Sequence, residues 1–374
     1  MYTGSLRPQI GALDPYTPGL SIDEIRQKFG LAQIYKMASN ENPLGVPPLA
    51  QEAIARHAQE AFRYPRGGNP RLVHALAELH KVSEKKLIIG NGSDEIIDLL
   101  IRMLCDPVSD SIVCFQPCFN LYPIQAQISG VTIKRCPLKE DFSFDFAGML
   151  KAIDDTTRIV FLTTPDNPSG YCPVAKNVRA FAKQLEQKAP KALLLIDEAY
   201  MDFCQDEKAF SLLAQGDIPS NVGIMRTFSK SYGLAGLRLG YAILPEALAE
   251  GFWRARLPFS VNLLAEEAGL AALEDQAFRE KTMETVRQGR TLLTEQLTDM
   301  GCTVWPSAAN FLLFTLPHPA KAADCFNRLL SHGIIIRLLK SYSLPDHLRV
   351  SIGNTQENGA FLKEMASFLG RIEQ

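Results

Sequence analysis

The sequence has 374 residues, 46% of them hydrophobic and 21% charged, which predicts a globular protein large enough for two domains. Its formal charge of −2 gives no electrostatic reason to expect nucleic acid or an anionic membrane as a partner. No apolar run approaches the ~18 residues of a membrane-spanning helix, so none is predicted.

The cysteines and the N-terminal stretch bear on the compartment. The stretch MYTGSLRPQIGALDPY lacks the apolar core that secretory signals carry. The eight cysteines form no CxxC pair, and no histidine or cysteine spacing matches a metal site. Several of them, such as Cys105 and Cys114, lie in apolar runs, which favours free thiols in a reducing compartment. We therefore expect a cytoplasmic protein with no resident metal.

Two polar segments precede the first predicted buried strand. Residues 1–35 begin as a proline-punctuated arm that contains Tyr16, and an exposed tyrosine in such an arm is most often a packing residue. The loop ASNENPLG at residues 38–45 carries several hydrogen-bonding side chains, including Asn40. Tyr64 lies between two predicted helices, and by itself it is an ordinary loop aromatic.

The first buried strand is predicted at residues 87–90 and leads into a small-residue turn and an apolar-periodic helix. A strand, a tight turn and a helix N-terminus together form a common anion site, because free backbone N–H groups point at the ligand. Ser93 and Asp94 lie at this position. Asp94 and Glu95 also complement the helix dipole, so they can equally be capping residues.

Polar or aromatic residues follow the next two strands. Phe119 comes just beyond the strand at residues 111–115, where open α/β sheets bind ligands. It could stack on a flat ring or be a core aromatic, and the residues alone favour neither. Asn167 lies in a tight turn after the strand RIVFLT, where it could donate an amide hydrogen bond to a ligand.

The strand ALLLI at residues 192–196 is apolar throughout, as a strand covered on both faces requires. Asp197 follows abruptly at its carboxyl end, and Tyr200 comes three residues later. A carboxylate in this position is often catalytic or binds a ligand. Metal binding is the main alternative, but no second ligand cluster with suitable spacing accompanies it.

A lysine among small and hydroxyl residues lies in the stretch RTFSKSYGLAGLRLGY, residues 226–241. Between apolar segments, Lys230 could have a lowered pKa and attack a carbonyl to form a Schiff base. Thr227, Ser229 and Arg238 could hold an anion beside it. An aldehyde and a phosphate together describe pyridoxal phosphate, although a glycine-rich turn with a structural lysine explains the stretch as well.

Strands alternate with helices over residues 85–245, which predicts an α/β fold with a mostly parallel sheet. GLAGLRLG does not match GxGxxG, so a dinucleotide-binding fold is rejected. Residues 298–374 read as a smaller α+β unit. Arg337 and Arg349 lie within its apolar strands, where arginine is expected to pair with an anion or, alternatively, with a protein carboxylate.

Nine strings in a fixed order carry a resemblance across nearly the whole chain: ASNENPLG, YP, GNGSDE, PDNPSG, IDEAYMDF, RTFSKSYGLAGLRLGY, RLPFSVN, SAANFLLF and LPDHLRVSIG. Together they resemble the fold type I aminotransferases of the histidinol-phosphate aminotransferase group. The resemblance implies a large domain with a mostly parallel mixed sheet flanked by helices, and a smaller α+β C-terminal domain. It divides the chain into an arm at 1–35 that packs with the small domain and a partner subunit, a cofactor domain at 36–260, and linking helices with the small domain at 261–374.

The resemblance also implies pyridoxal phosphate as cofactor and a role for each site residue. Lys230 would hold the cofactor aldehyde and move the substrate proton, with Asp197 pairing with the pyridine nitrogen. Asn167 and Tyr200 would bind the phenolic oxygen, and Phe119 would stack on the ring. The phosphate would be surrounded by Ser93, Asp94, Thr227, Ser229 and Arg238, and by Tyr64 from the neighbouring subunit of a homodimer. Arg349 would bind the glutamate carboxylate, with Arg337, Tyr16 and Asn40 at the variable end of the substrate.

The expected reaction is amino transfer between L-histidinol phosphate and 2-oxoglutarate. Asp166 and Ser169 replace residues common among relatives, which leaves substrate choice more open than the chemistry. An aromatic amino acid aminotransferase is the nearest alternative, because a carboxylate uses the two arginines equally well. A decarboxylase of an amino-acid phosphate is the next. A non-catalytic protein that binds pyridoxal phosphate is the alternative of a different class, although no added DNA-binding domain is recognisable.

Overall fold

The computed structural model describes residues 6–13, 22–318 and 320–370. Its centre is a seven-stranded sheet with the order β2-β8-β7-β6-β5-β3-β4. Strands β4, β3, β5, β6 and β7 pair in parallel, and β8 runs antiparallel to both β7 and β2. The predicted α/β class with a mostly parallel mixed sheet is confirmed.

The strands of the described residues are β1 (Tyr35–Lys36), β2 (Leu87–Gly90), β3 (Ser111–Gln116), β4 (Thr132–Pro137), β5 (Thr157–Thr163), β6 (Leu193–Asp197), β7 (Val222–Thr227), β8 (Gly240–Ile243), β9 (Thr303–Val304), β10 (Phe311–Thr315), β11 (Ile334–Ile335), β12 (Arg337–Leu338) and β13 (His347–Ser351).

The helices of the described residues are α1 (Pro8–Gly11), α2 (Ile22–Phe29), α3 (Pro48–His57), α4 (Pro70–His80), α5 (Ser93–Leu104), α6 (Leu121–Ser129), α7 (Phe146–Ala152), α8 (Ala175–Lys188), α9 (Glu207–Phe210), α10 (Leu212–Gln215), α11 (Glu246–Ala255), α12 (Leu263–Glu274), α13 (Gln276–Asp299), α14 (Ala322–Ser331) and α15 (Thr355–Leu369). Short 3-10 helices occupy Ala58–Glu60, Glu84–Lys86, Met201–Phe203, Ala235–Leu237 and Lys340–Tyr342.

Helices cover both faces of the large sheet, and this explains its uninterrupted apolar strands. Side chains alternate between the faces along a strand. In β6, Leu194 and Ile196 therefore join the core formed with α4, α8 and α12, whereas Leu193 and Leu195 join the core formed with α5, α6 and α11. A strand buried on both sides has no solvent face, so polar side chains are left to its ends.

The second unit is a four-stranded antiparallel sheet of order β12-β13-β10-β9, packed with α13, α14 and α15. The apolar run IIIRLL, predicted as one strand, is divided between two sheets. Its first half, β11, pairs in parallel with β1, and its second half, β12, pairs with β13. The short strand β1 thus connects the N-terminal segment to the second unit.

Three helices bear on the predicted division at residues 35/36 and 260/261, which itself stays a prediction. Helix α12 lies after the predicted boundary, yet Ala265, Ala268 and Ala272 are buried in the core against the seven-stranded sheet. Within the predicted arm, α1 packs on α6 of that large unit, whereas Ile25 of α2 packs against Ile335 of the small one. Among the described residues, no helix combines the length and the apolar character needed to cross a membrane.

Candidate active site

A cavity of about 370 Å³ lies at the carboxyl ends of the parallel strands, within the ~300–1,000 Å³ range of small-molecule sites. The parallel strands end at the same edge of the sheet, so loops that are distant in sequence meet there. Ten of the residues predicted for the site line this cavity: Ser93, Asp94, Phe119, Asn167, Asp197, Tyr200, Thr227, Ser229, Lys230 and Arg238. Ser39, Glu41 and Thr163 line it as well, and sequence analysis did not single them out.

Lys230 follows β7 and directs its amine into the cavity. Its Nζ donates a 2.9 Å hydrogen bond to the backbone carbonyl of Ser39 and lies 5.7 Å from the centre of the Tyr200 ring. Burial, assisted by the positive charge of Arg349, lowers the pKa of Lys230 to about 8. A substantial fraction of this amine is therefore neutral near physiological pH and able to act as a nucleophile or base.

Asp197 ends β6 with its side chain buried. Its Oδ2 accepts a 2.8 Å hydrogen bond from the hydroxyl of Tyr122, and its Oδ1 accepts one of 3.0 Å from the backbone N–H of Ala199. Burial raises the pKa of Asp197 to about 6, against the opposing effect of these two donors. A buried carboxylate held in this way is suited to pair with a cationic ring nitrogen.

Tyr122 is a site residue that sequence analysis missed. It is fully buried on α6 and its hydroxyl also lies 2.8 Å from Thr163 Oγ1. The signal available in the sequence was its position three residues after Phe119, in the first turn of the helix that follows the strand. That position gives no indication that the hydroxyl reaches Asp197, which lies 75 positions further along the chain.

The start of α5 forms one end of the cavity, where the expected anion site lies. Ser93 is the first residue of this helix, and Arg238 forms a 3.0 Å ion pair with Asp94 across the cavity wall. Gly92 has a φ of +79°, in the left-handed region that strains residues with a Cβ, and a Cβ there would also displace the end of Arg238, whose Nη2 would lie only 2.6 Å away. On β7, Thr227 Oγ1 accepts a 3.0 Å hydrogen bond from the backbone N–H of Ser229.

Asn40 lies behind Tyr200. Its Nδ2 donates a 3.1 Å hydrogen bond to the Tyr200 hydroxyl, and its Oδ1 accepts one of 2.9 Å from Ser351. Asn40 is 1% exposed, and it is not among the described residues that line the cavity. It adopts a φ of +55°, in the left-handed region that asparagine tolerates better than most residues. Its predicted contact with the substrate stays a prediction, whereas its contact with Tyr200 was not foreseen.

Arg349 extends from β13 of the small unit to the turn that carries Asn167, although it is not itself among the described residues that line the cavity. It is buried and donates hydrogen bonds to Asn167 Oδ1 and, over 2.8 Å, to the backbone carbonyl of Ala38. Its Nε is buried with no hydrogen-bond partner among the described residues. A buried guanidinium with a donor to spare is what a carboxylate ligand requires.

Arg337 and Tyr64 do not line the cavity, and a third predicted residue is not described. Arg337 is directly opposite Arg349 in the antiparallel pair β12–β13, so both side chains project from the same face, but it is not among the described residues lining the cavity. Tyr64 is 82% exposed and stacks on Phe259 with ring centres 4.9 Å apart. Tyr16 lies outside the described residues.

A network of buried ion pairs connects the loops that follow β6 and β7. Arg226 donates to Glu198 over 2.7 and 3.1 Å and to Glu207 over 2.5 Å. Asp202 accepts hydrogen bonds from Ser231 and, over 3.4 Å, from Arg279. Glu198 and Ser231 directly follow Asp197 and Lys230 in the chain. The network therefore joins the backbone segments that carry the two main cavity residues.

Comparison with known proteins identifies the family. The profile described as "Aminotransferase class I and II" matches residues 32–364. This chain belongs to that family. The aminotransferase is 53% identical over 364 residues to the histidinol-phosphate aminotransferase of Nitratidesulfovibrio vulgaris (strain Hildenborough), covering 97% of this chain and 96% of the relative. It is 40% identical over 367 residues to that of Shouchella clausii, covering 98% of each.

A solved structure gives the same fold for nearly the whole aminotransferase. Histidinol-phosphate aminotransferase from Sinorhizobium meliloti in complex with pyridoxal-5′-phosphate superimposes with a TM-score of 0.87 at 26% identity, covering 98% of each chain. The fold type I architecture expected from the sequence is thereby confirmed.

The cavity fits the cofactor on which this family depends. It offers an amine with a lowered pKa for the aldehyde, a buried carboxylate for the ring nitrogen, and a helix N-terminus with Arg238 for the phosphate. Phe119 supplies an aromatic face, and its ring centre lies 5.6 Å from that of Tyr122. The aldehyde, the ring nitrogen, the ring face and the phosphate of pyridoxal phosphate thus each have a complementary group among the residues that line the cavity.

Proposed function

We propose that this aminotransferase carries pyridoxal phosphate on Lys230 and transfers an amino group between L-histidinol phosphate and 2-oxoglutarate in histidine biosynthesis. The observation that carries the proposal is the identity of 51–54% to three bacterial histidinol-phosphate aminotransferases, over 95% or more of this chain. Relatives this similar over their full length support a shared substrate as well as a shared fold.

The cofactor, when bound, supplies an aldehyde for the substrate amine and a ring that withdraws electrons from its α-carbon. Lys230 holds the aldehyde at rest and, with its neutral amine, takes and returns the α-proton during transfer. Asp197 stays ionised and keeps the ring nitrogen protonated. Tyr200 and Asn167 donate hydrogen bonds to the phenolic oxygen, and Phe119 covers one face of the ring.

The remaining residues hold the two anionic groups of the complex. Ser93, Asp94, Thr227, Ser229 and Arg238 surround the cofactor phosphate, partly through backbone N–H groups at the start of α5. Arg349 binds the α-carboxylate of glutamate with a two-point hydrogen bond, for which its unpartnered Nε supports the assignment. Arg337, with Tyr16 and Asn40, faces the other end of the substrate, where histidinol phosphate presents its phosphate.

The active unit we propose is a homodimer with shared sites, located in the cytoplasm. Tyr64 is highly exposed in the single chain, where it stacks on the half-exposed Phe259. An exposed aromatic pair of this kind is typical of a surface that a second subunit covers. In this assembly Tyr64 reaches the cofactor phosphate of its neighbour.

The nearest competing function is aromatic amino acid transfer, because Arg349 and Arg337 would accept a carboxylate as readily as a phosphate. A decarboxylase of an amino-acid phosphate is the other. The test is a panel of L-histidinol phosphate, L-phenylalanine and threonine phosphate, each assayed with and without 2-oxoglutarate for glutamate, released CO₂ and the absorbance of the bound cofactor.

The proposal predicts that histidinol phosphate gives the highest kcat/KM, produces glutamate and converts the cofactor to its amine form. Brisk turnover of phenylalanine with none of histidinol phosphate would show that the enzyme acts on aromatic amino acids and would contradict the proposed substrate. Release of CO₂ from threonine phosphate without formation of glutamate would show that the enzyme is a decarboxylase and would contradict the proposed amino transfer. A bound cofactor that no amino donor converts would contradict the enzymatic role altogether.

A further inference from the structure

Two cysteines from distant parts of the chain meet beneath the active-site loops. The Sγ atoms of Cys172 and Cys204 are 3.9 Å apart. Cys172 follows the turn that carries Asn167, and Cys204 directly follows the 3-10 helix Met201–Phe203. Cys204 Sγ also lies 3.9 Å from the backbone carbonyl of Ala308, just before β10. The pair therefore lies where the Asn167 loop, the Tyr200 loop and the small unit converge.

This pair differs from the other cysteines in its accessibility. Cys172 and Cys204 are partly exposed, whereas the remaining six are buried: Cys105, Cys114, Cys118, Cys136, Cys302 and Cys325. Cys204 lines a second cavity of about 640 Å³, which contains none of the residues that line the Lys230 cavity. A small reagent can therefore reach Cys204 without passing through the active site.

We propose that Cys172 and Cys204 are a reversible thiol–disulfide modification site, oxidised by a small-molecule disulfide. The Cys204 thiolate attacks one sulfur of the reagent, forms a mixed disulfide and releases one thiolate. Cys172 then loses its proton to the released thiolate and attacks Cys204 sulfur, which expels the second half of the reagent. Two protein thiols are oxidised, and one reagent disulfide is reduced to two thiols.

The crosslink would connect the loops of Asn167 and Tyr200 outside the Lys230 cavity, which neither cysteine lines. Closing the sulfurs from 3.9 Å to the ~2.05 Å of a disulfide bond involves side chains already in contact. A covalent bond between residues 172 and 204 also restricts the unfolded chain, so the oxidised protein should melt at a higher temperature. The formation of the bond is independent of the proposed substrate.

The test is treatment of the holoenzyme with excess oxidised glutathione, followed by acid quenching, alkylation in denaturant and peptide mapping. We expect six of the eight thiols to remain titratable, a peptide pair linked through Cys172 and Cys204, and an increased Tm. Dithiothreitol should restore eight thiols and the original Tm. The variants Cys172→Ser and Cys204→Ser should form no crosslink, whereas the control Cys302→Ser, which alters a buried cysteine, should still form it.

Three outcomes would overturn the inference. They are eight free thiols after treatment, glutathione that remains attached to Cys204 without a crosslink, and a crosslink that joins other cysteines such as Cys114 and Cys118. Because thiol counts and peptide masses do not depend on turnover, a failure here is distinguishable from a failure of the proposed aminotransferase activity.

Discussion

The hydroxyl of Tyr122 donates a 2.8 Å hydrogen bond to Asp197 Oδ2, and this contact ties helix α6 to the carboxylate at the end of β6. Both residues are buried, so the bond is shielded from water and from competing donors. Burial alone would favour the neutral carboxylic acid, whereas the tyrosine favours the carboxylate. Tyr122 thus helps to keep Asp197 in the form that the proposed chemistry needs.

Replacing Tyr122 by phenylalanine should weaken the binding of pyridoxal phosphate. A hydrogen bond to a charged group contributes about 1.5–3 kcal/mol, so the dissociation constant should increase roughly tenfold to hundredfold. Without this donor, the pKa of Asp197 rises above about 6, and the loss of cofactor binding on acidification begins at a higher pH. Titration of apoenzyme with the cofactor at several pH values measures both effects.

The control for this experiment is Tyr35→Phe. The Tyr35 hydroxyl also forms a hydrogen bond, accepting one of 3.0 Å from Gln356 Nε2, but Tyr35 lies on β1 and does not line the cavity. Its replacement should leave cofactor affinity and its pH dependence unchanged. Equal behaviour of the two variants would show that the Tyr122 contact does not support Asp197.

The pKa of Lys230 predicts how apoenzyme captures the cofactor. With a pKa of about 8, the neutral fraction of the amine grows about tenfold per pH unit below pH 8 and levels off above it. An ordinary lysine, with a pKa of 10.5, would continue to gain reactivity up to that value. Stopped-flow absorbance after mixing apoenzyme with pyridoxal phosphate across this pH range distinguishes the two profiles.

The variant Arg349→Gln tests whether the charge of Arg349 contributes to the lowered pKa of Lys230. The positive charge of Arg349 is the second contribution to the lowered pKa of Lys230, after burial. Its removal should move the midpoint of the capture profile to higher pH, because the charged amine is then less disfavoured. A midpoint that stays in place in this variant would assign the shift to burial alone.

The ion pair of Arg226 and Glu198 should matter greatly for stability. Arg226→Met leaves Glu198 buried without a cationic partner at that site, and breaking a buried pair in this way costs about 3–5 kcal/mol. The free energy of unfolding from urea titrations of the apoenzyme measures the loss. The double variant Arg226→Met/Glu198→Leu should recover part of it, because the fully buried charge of Glu198 is then removed together with its partner.

Arg254→Met is the control, since Arg254 forms an exposed ion pair with Glu250 on α11. Exposed pairs contribute roughly 0–1 kcal/mol, so this variant should unfold close to the wild-type midpoint. A loss of stability equal to that of Arg226→Met would indicate that burial of the Glu198 pair has no special role.

Shared active sites predict complementation between two defective subunits. Lys230→Ala should be inactive, and Tyr64→Ala should bind the cofactor weakly. When the two variants exchange subunits, each mixed dimer regains one complete site, so random pairing restores about a quarter of the sites. Activity that does not exceed the sum of the separate variants would contradict a contribution of Tyr64 across the interface.

The sequence was informative wherever an apolar strand ends abruptly in polar residues. The runs before Ser93, Asn167 and Asp197 became β2, β5 and β6, within one residue of the predicted bounds. Parallel strands place their carboxyl ends at one edge, so these residues could be expected to meet. The fold class followed from the alternation of such strands with helices and the family from the nine ordered strings, and both predictions are confirmed. The individual residue roles stay predictions.

Contacts between distant segments could not be predicted, because they produce no periodic pattern of apolar and polar residues in the sequence. The hydrogen bonds from Tyr122 to Asp197 and from Asn40 to Tyr200 depend on how separate elements pack, and so does the contact between the thiols of Cys204 and Cys172. The division of IIIRLL between two sheets has the same origin. Its apolar character indicates a strand, but the change of partner after Ile335 depends on the position of β1.

The central claim is that the amine of Lys230, and no other, carries the cofactor in the resting enzyme. Reduction of the holoenzyme with sodium borohydride makes such a link permanent, and peptide mapping then locates the pyridoxyl group. The label should be found on the peptide that contains Lys230, and Lys230→Ala should remain unlabelled under the same conditions. A label on a different lysine, or a wild-type protein that acquires none, would contradict the account.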